Sequence, residues 1–306
     1  MNIEDFRLQK LISTASALID QISFVPNLPL PGDDVVASRT VTLLGGSLNL
    51  ETACARLGLQ VSHATPIGNG PRADLVRAAC KSEGIALIGV EAETGPDNGP
   101  DNGLDTGLCI TLVEPSGQRS FITQSGAEAK RSFAELKQYQ YPADAWLHIL
   151  GYELAYESSK VAFKELILSG LIESKIVFDP SPWVAQIDKE VLAWFGQNAA
   201  LISCNEGEYP VLEPHIKEDR LVLVRRGARG SELRLGGQVI ASAPSRPTTV
   251  LDTTGAGDVH TGAFLAAIAK GHDWLESLEV ANRCAEWVIA REGGVNCPTW
   301  QQLAAQ

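Results

Sequence analysis

Apolar runs alternate with helical periodicity along most of the chain. Residues 10–20 (KLISTASALID) form an apolar run closed by Asp20, which reads as a buried first strand. Residues 22–25 predict a second short strand before Pro26, Pro29, Pro31 and Gly32, which force a loop. Residues 35–43 are β-branched and partly alternating, so they predict a strand exposed on one face. After Gly45 and Gly46, the apolar positions Leu48, Leu50, Ala53, Cys54 and Leu57 recur at helical spacing and stop at Gly58. Residues 61–67 then predict a strand, 74–81 a helix and 85–90 a strand. The same rhythm gives strand 146–150, helix 155–168, strand 175–178, helix 188–195, and strands 200–203 and 221–224. A strand-like run with prolines (239–250) leads into two terminal helices, of which 275–290 is the clearer. This alternation predicts an α/β fold built on a doubly wound, mostly parallel sheet.

Two places break the rhythm. One is the strand at 35–43; the other is a β-hairpin of residues 106–113 and 119–123 about the turn 114–118. Residues 95–103 (GPDNGPDNG) repeat turn formers and read as a surface loop. No long linker appears, so we expect one domain over residues 1–306, with the rhythm-breaking segments (about 21–43 and 105–123) standing apart from the main sheet.

Charge and cysteines narrow the class. A formal charge of −12 disfavours a nucleic-acid partner, which needs a basic stripe. The six cysteines are scattered without a Cys-x-x-Cys pair, as expected of free thiols in a reducing cytoplasm. Residues 1–10 mix charges, and no run is long and apolar enough to span a membrane.

The most informative stretch is 251–264, LDTTGAGDVHTGAF. Gly255-Ala256-Gly257 has little side chain, so its backbone N–H groups can surround an anion where a helix begins. Asp258 is out of place there, because a carboxylate repels the anion beside it. It makes sense as a group that takes the proton of a hydroxyl about to attack a phosphate. A helix N-cap with a flexible lead-in accounts for Gly-Ala-Gly alone, but not for the whole string.

That string resembles the Asp-Thr-x-Gly-Ala-Gly-Asp signature of the ribokinase or PfkB family of carbohydrate and nucleoside kinases. Gly45-Gly46-Ser47-Leu48-Asn49 resembles the family's N-terminal Gly-Gly motif, and the likeness spans roughly residues 11 to 298. The resemblance implies a ribokinase-like three-layer α/β/α fold with a small β-sheet lid over the substrate, a lid that often pairs two subunits into a homodimer. It implies an ATP- and Mg²⁺-dependent phosphotransferase acting on a hydroxymethyl group of a small sugar or sugar-like alcohol. Asp258 would be the general base and the amides of Gly255, Ala256 and Gly257 the anion hole. Asp20, Gly45, Gly46 and Asn49 fall on the sugar side. Asn205, Glu208, Arg225, Gly227, Ala228, Gly230, Thr254 and Asn282 fall on the nucleotide side. Glu208 would support Mg²⁺ through water, and Asp252 sits where some relatives hold a monovalent cation such as K⁺.

Three features depart from the family pattern. Arg225 replaces the Thr that usually opens the nucleotide loop, and residues 209–219 are too few for the helix usual there. Gly151 stands where ribokinases proper carry an acid, which moves the expectation away from ribose; nearby His148 reads as a core histidine. A nucleoside kinase remains an alternative, but the lid offers only Phe24 and Phe121 to line a base pocket. A sugar-binding regulator without turnover is a rival of another class, and a vitamin-precursor kinase a third possibility.

Overall fold

The computed structural model describes residues 2–89, 104–157 and 159–305. The strands in its first half are β1 (Lys10–Ser13), β2 (Ala17–Phe24), β3 (Arg39–Gly46), β4 (Gln60–His63), β5 (Ala86–Leu87), β6 (Leu108–Val113) and β7 (Arg119–Gln124). Those that follow are β8 (Ala145–Leu150), β9 (Lys175–Asp179), β10 (Leu201–Asn205), β11 (Leu221–Arg225), β12 (Ser231–Leu235) and β13 (Gln238–Ala243). The helices are α1 (Leu48–Arg56), α2 (Pro71–Glu83), α3 (Phe133–Leu136), α4 (Tyr152–Ala155) and α5 (Lys160–Leu168). They continue with α6 (Lys189–Asn198), α7 (Tyr209–Leu212), α8 (Ala256–Lys270), α9 (Trp274–Ile289) and α10 (Trp300–Ala304).

Nine strands form the main sheet in the order β13-β12-β11-β10-β9-β8-β1-β4-β5. Every pair from β11 to β5 is parallel, and the β11-β12-β13 end is antiparallel. The central strands are buried on both faces, so successive residues feed opposite cores. Leu11, Trp146, Val177, Leu201 and Leu223 pack with α1, α2, α8 and α9. Their neighbours Ile12, Leu147, Phe178, Ile202 and Val222 pack with α3, α5 and α6. This is the three-layer α/β/α architecture expected. The strand order reverses between β1 and β8, and such a switch point opens a crevice at the strands' carboxyl ends.

The second sheet, β3-β2-β6-β7, is the lid. It pairs β2 antiparallel to β3 but parallel to β6, and closes with the β6–β7 hairpin.

Several sequence boundaries are corrected. Residues 10–20 are two strands in two sheets, not one. The amide of Ser16 and its hydroxyl both donate to buried Glu153, and the Ser16 carbonyl accepts from the Ser47 amide, which lifts the chain out of the main sheet. Asp20 therefore lies within β2, in the lid, rather than closing the first strand. The strand read at 35–43 starts only at Arg39, and that at 61–67 ends at His63. The helix read at 155–168 starts only at Lys160, as α5, and Ala155 instead ends the preceding turn α4. Strand β12 went unseen, and the run 239–250 stops pairing at Ala243, where Pro244 lacks the N–H a ladder needs. The loop read at 95–103 lies outside the described residues.

Candidate active site

Helix α8 starts at the base of the crevice. Its N-cap, Gly255, adopts φ 71°, a left-handed conformation that favours glycine, and a Cβ there would collide with the Asn49 amide. Asn49, on the first turn of α1, donates from Nδ2 to Asp258 Oδ2 at 3.0 Å. Its Oδ1 is buried without a protein partner. The two glycine-led motifs thus meet through one hydrogen bond. Burial, and then the nearby charge of Asp179, push the Asp258 carboxyl up to about 7, against the opposing pull of Asn49 and Arg225.

Asp179, at the end of β9, was not singled out from sequence. The strand read there ended one residue early, yet an acid at the carboxyl end of a parallel strand and before Pro180 was a usable signal. It is 4% exposed and accepts from Arg225 Nη1 at 2.9 Å. The Ser181 amide caps its other oxygen at 3.0 Å, from a residue held at φ 60°.

Arg225 is committed inward. Nη1 also donates to Ser203 Oγ (2.6 Å) and Thr261 Oγ1 (3.0 Å), and the guanidinium lies under Gly257. It acts there as the counter-charge to Asp179 and Glu208 instead of standing free above the nest. Asn205 and Glu208 fold onto each other: Asn205 Nδ2 and its amide both donate to Glu208, and Asn205 Oδ1 accepts from the amides of Gly207 and Glu208. Burial, and then Asp179, raise the Glu208 carboxyl. Residues 209–219 hold only α7 and a 3₁₀ turn (Glu213–His215).

The turn Gly227–Arg229 and Gly230 lie beside Asn282, since Gly230 packs on the Ala243 carbonyl to which Asn282 Nδ2 donates at 3.0 Å. Asn282 Oδ1 accepts from Ser231 Oγ (2.9 Å) and meets His260 Nε2 (3.0 Å), so its amide is engaged inside the fold.

On the lid side, the Asp20 carboxylate presses on Gly45, where any Cβ would collide with it. Burial, and then the charge of Asp252, raise Asp20 to about 6. Gly46 takes φ 64° against the Ser16 carbonyl. Beyond the ends of β8 and β9, Tyr152, Tyr156 and Trp183 form an aromatic cluster in which Trp183 meets Tyr152 and Tyr156 edge-on, with centroids 5.4 and 5.1 Å apart, and the two tyrosines stack. Tyr152 lies within electrostatic reach of Asp258, Asp179 and Cys109. Glu153, two residues beyond Gly151, is buried and raised to about 7, chiefly by that burial; its Oε2 has no protein partner. Sequence reading missed this acid because a helical turn, not the strand end, carries it.

Asp252 and Thr254 are held from the lid. Arg119, first residue of β7, donates to Asp252 Oδ1 at 2.8 Å and to Thr254 Oγ1 at 2.6 Å. The amides of Thr254 and Gly293 also bond Asp252. Burial works upward on this carboxyl, but the Arg119 bond and the two amides hold it below the usual carboxylate range.

The sequence model described as "pfkB family carbohydrate kinase" matches residues 8–301. The chain belongs to that family. This kinase is 28% identical to the uncharacterized sugar kinase YegV of Escherichia coli, across 96% of this chain and 93% of that protein. It is 24% identical to a ribokinase of Bacillus subtilis, over 94% of each. Among solved structures it resembles the nucleoside kinase of Methanocaldococcus jannaschii, a member of the ribokinase family (TM-score 0.77, 18% identity, 97% of this chain and 98% of that one). It also resembles a ribokinase of Thermotoga maritima (TM-score 0.72, 23% identity, 97% and 98%). Both show the ribokinase fold. Among the described residues of the kinase, no helix is long and apolar enough to cross a membrane.

Proposed function

We propose that the kinase transfers the γ-phosphoryl group of ATP to a hydroxymethyl group of a small sugar or sugar-like alcohol. The observation that carries this reading is Asp258: a carboxyl at about 7, bonded by Asn49, at the mouth of a glycine nest and below a β lid. A base of that strength is half-ionised near neutrality and accepts a proton readily. The hydroxyl oxygen bonds to the γ-phosphorus as its proton passes to Asp258, and the bond from that phosphorus to the bridging oxygen breaks to release ADP. The amides at Gly255–Gly257 and the positive end of α8 then stabilise charge on the transferred group.

Among the described residues no three His, Cys, Asp or Glu side chains are grouped to cage a metal. Glu208 and Asp179 already accept hydrogen bonds on both carboxylate oxygens, so they would meet a Mg²⁺ only through the water shell that this ion tends to keep. Bound there, Mg²⁺ would screen charge on the β- and γ-phosphates.

The test is ADP release with a panel of sugars, sugar acids, polyols and nucleosides. Turnover with a sugar or polyol is expected; binding of a sugar with no ADP release from any acceptor would favour a sugar-binding regulator. The Tyr152–Tyr156–Trp183 cluster supports nucleoside phosphorylation as a second reading, because aromatic rings are good partners for a base.

A further inference from the structure

The resemblance that places a monovalent cation near Asp252 meets surroundings that do not fit one. A bare cation needs lone pairs, yet three N–H donors face this carboxylate: Arg119 Nη2 (2.8 Å) and the Thr254 amide (2.9 Å) on Oδ1, and the Gly293 amide (3.1 Å) on Oδ2. One of them already carries a full positive charge. The pair is well sheltered, with side-chain exposures of 25% for Arg119 and 8% for Asp252. Arg119 Nη1 reaches Thr254 Oγ1 as well, so one planar guanidinium spans both residues that lead into Gly255. A second lid arginine, Arg39, meets Glu292, next to Gly293, at 2.5 and 2.6 Å. That pair is more exposed and contributes less.

We propose that Arg119 is a built-in replacement for a monovalent cation at Asp252, so that the anion nest of this kinase needs no K⁺. The positive charge is delivered by a lid strand, and Arg119 is a positioning residue: it neutralises Asp252 and fixes Thr254 while touching neither substrate nor phosphate. Lid placement and nest geometry are thereby tied through one side chain. The consequence for turnover rests on the kinase reading above; the charge balance at Asp252 does not.

The experiment compares thermal melting and MgADP affinity in potassium chloride and in tetramethylammonium chloride at equal ionic strength. A cation that binds only the native state raises the melting temperature by mass action. For the unmodified protein we expect the same melting temperature and the same MgADP affinity in both salts. Arg119→Ala should melt lower in tetramethylammonium and be restored specifically by potassium or guanidinium. Its MgADP affinity should fall about tenfold in tetramethylammonium, within the usual range of coupling between sites. Arg119→Lys, which keeps the charge, should stay indifferent to potassium. Potassium-specific stabilisation of the unmodified protein would overturn the proposal, and so would a folded Arg119→Ala that matches it in both salts. Should Arg119→Ala not fold, the unmodified protein and Arg119→Lys still decide the matter. Failure of MgADP to bind in either salt would count against the kinase reading, while melting still tests Arg119.

Discussion

Asn49 Nδ2 and Asp258 Oδ2 are 3.0 Å apart, a hydrogen bond that joins the first turn of α1 to the first turn of α8 across more than 200 residues of chain. The bond favours the ionised form of Asp258 and opposes the burial that raises it. Asn49 therefore holds the Asp258 carboxylate in place, while its Oδ1 has no protein partner.

Replacing Asn49 by Ala should move the acid limb of the kcat/KM profile to higher pH and lower kcat at neutrality. A pure sugar contact would raise KM and leave the limb where it is. Rates measured across the pH range separate the two outcomes.

In the unmodified kinase, kcat/KM should climb about tenfold per pH unit below about 7 and level off above it, since this parameter reports the free enzyme's base. Stability carries the opposite sign. Asp20, Glu153 and Asp258 are all raised above the ordinary carboxylate range. Between about pH 4 and 7 the native chain keeps protons that the unfolded chain has lost, so stability present at the acid end is lost as pH rises through their native values. Asp258→Asn should weaken that decline, which urea unfolding at several pH values would measure.

The signature around Asp258 and the Gly45-Gly46 motif were legible because each is a short contiguous string whose chemistry is local. Helices α1 and α9 were legible from apolar spacing and stop signals. What could not be read depends on partners far along the chain. The break at Ser16 is imposed by Glu153, 137 residues away. Arg119 looked like any hairpin arginine until the fold set it against Asp252, 133 residues on. Arg225 read as a nucleotide-side residue until the fold set it against Asp179 at the end of β9. Asn205 and Glu208 were placed on the nucleotide side, and only the fold shows that their polar atoms bond each other at the end of β10.

Replacing Arg225 by Met should destabilise the fold by about 3 kcal/mol, the usual scale for stranding buried carboxylates by removing their cation. Asp179 and Glu208 are 4% and 5% exposed and would be left facing each other and Asp258. Calorimetric unfolding should show the loss, and the acid limb of kcat/KM should rise with it. An unchanged melting temperature would remove Arg225 from the charge balance drawn here.

The lid edge β7 exposes Phe121 (62%) and Ile122 (61%), and an exposed apolar strand edge invites pairing. We therefore propose a homodimer joined through the lid. Light scattering should give twice the chain mass, and Ile122→Lys should shift the kinase toward monomer. A monomeric unmodified protein at working concentration would dismiss the idea.

Asp258→Asn is the decisive substitution. Asn retains an oxygen for the Asn49 bond and the shape of the helix start, so the nest should stay intact. It cannot take the proton from the acceptor hydroxyl, and kcat should fall about 10²–10⁴-fold, the usual contribution of a positioned base. MgADP should bind as well or better, because a carboxylate facing the phosphates is gone. The same loss of charge should leave the variant more stable than the unmodified kinase above about pH 7, where Asp258 is ionised in a site that disfavours ionisation. Single-turnover rates, MgADP calorimetry and unfolding at two pH values examine these three outcomes separately. A variant that keeps full activity on a confirmed acceptor would remove Asp258 as the base, while loss of folding in every condition would make it a structural cap.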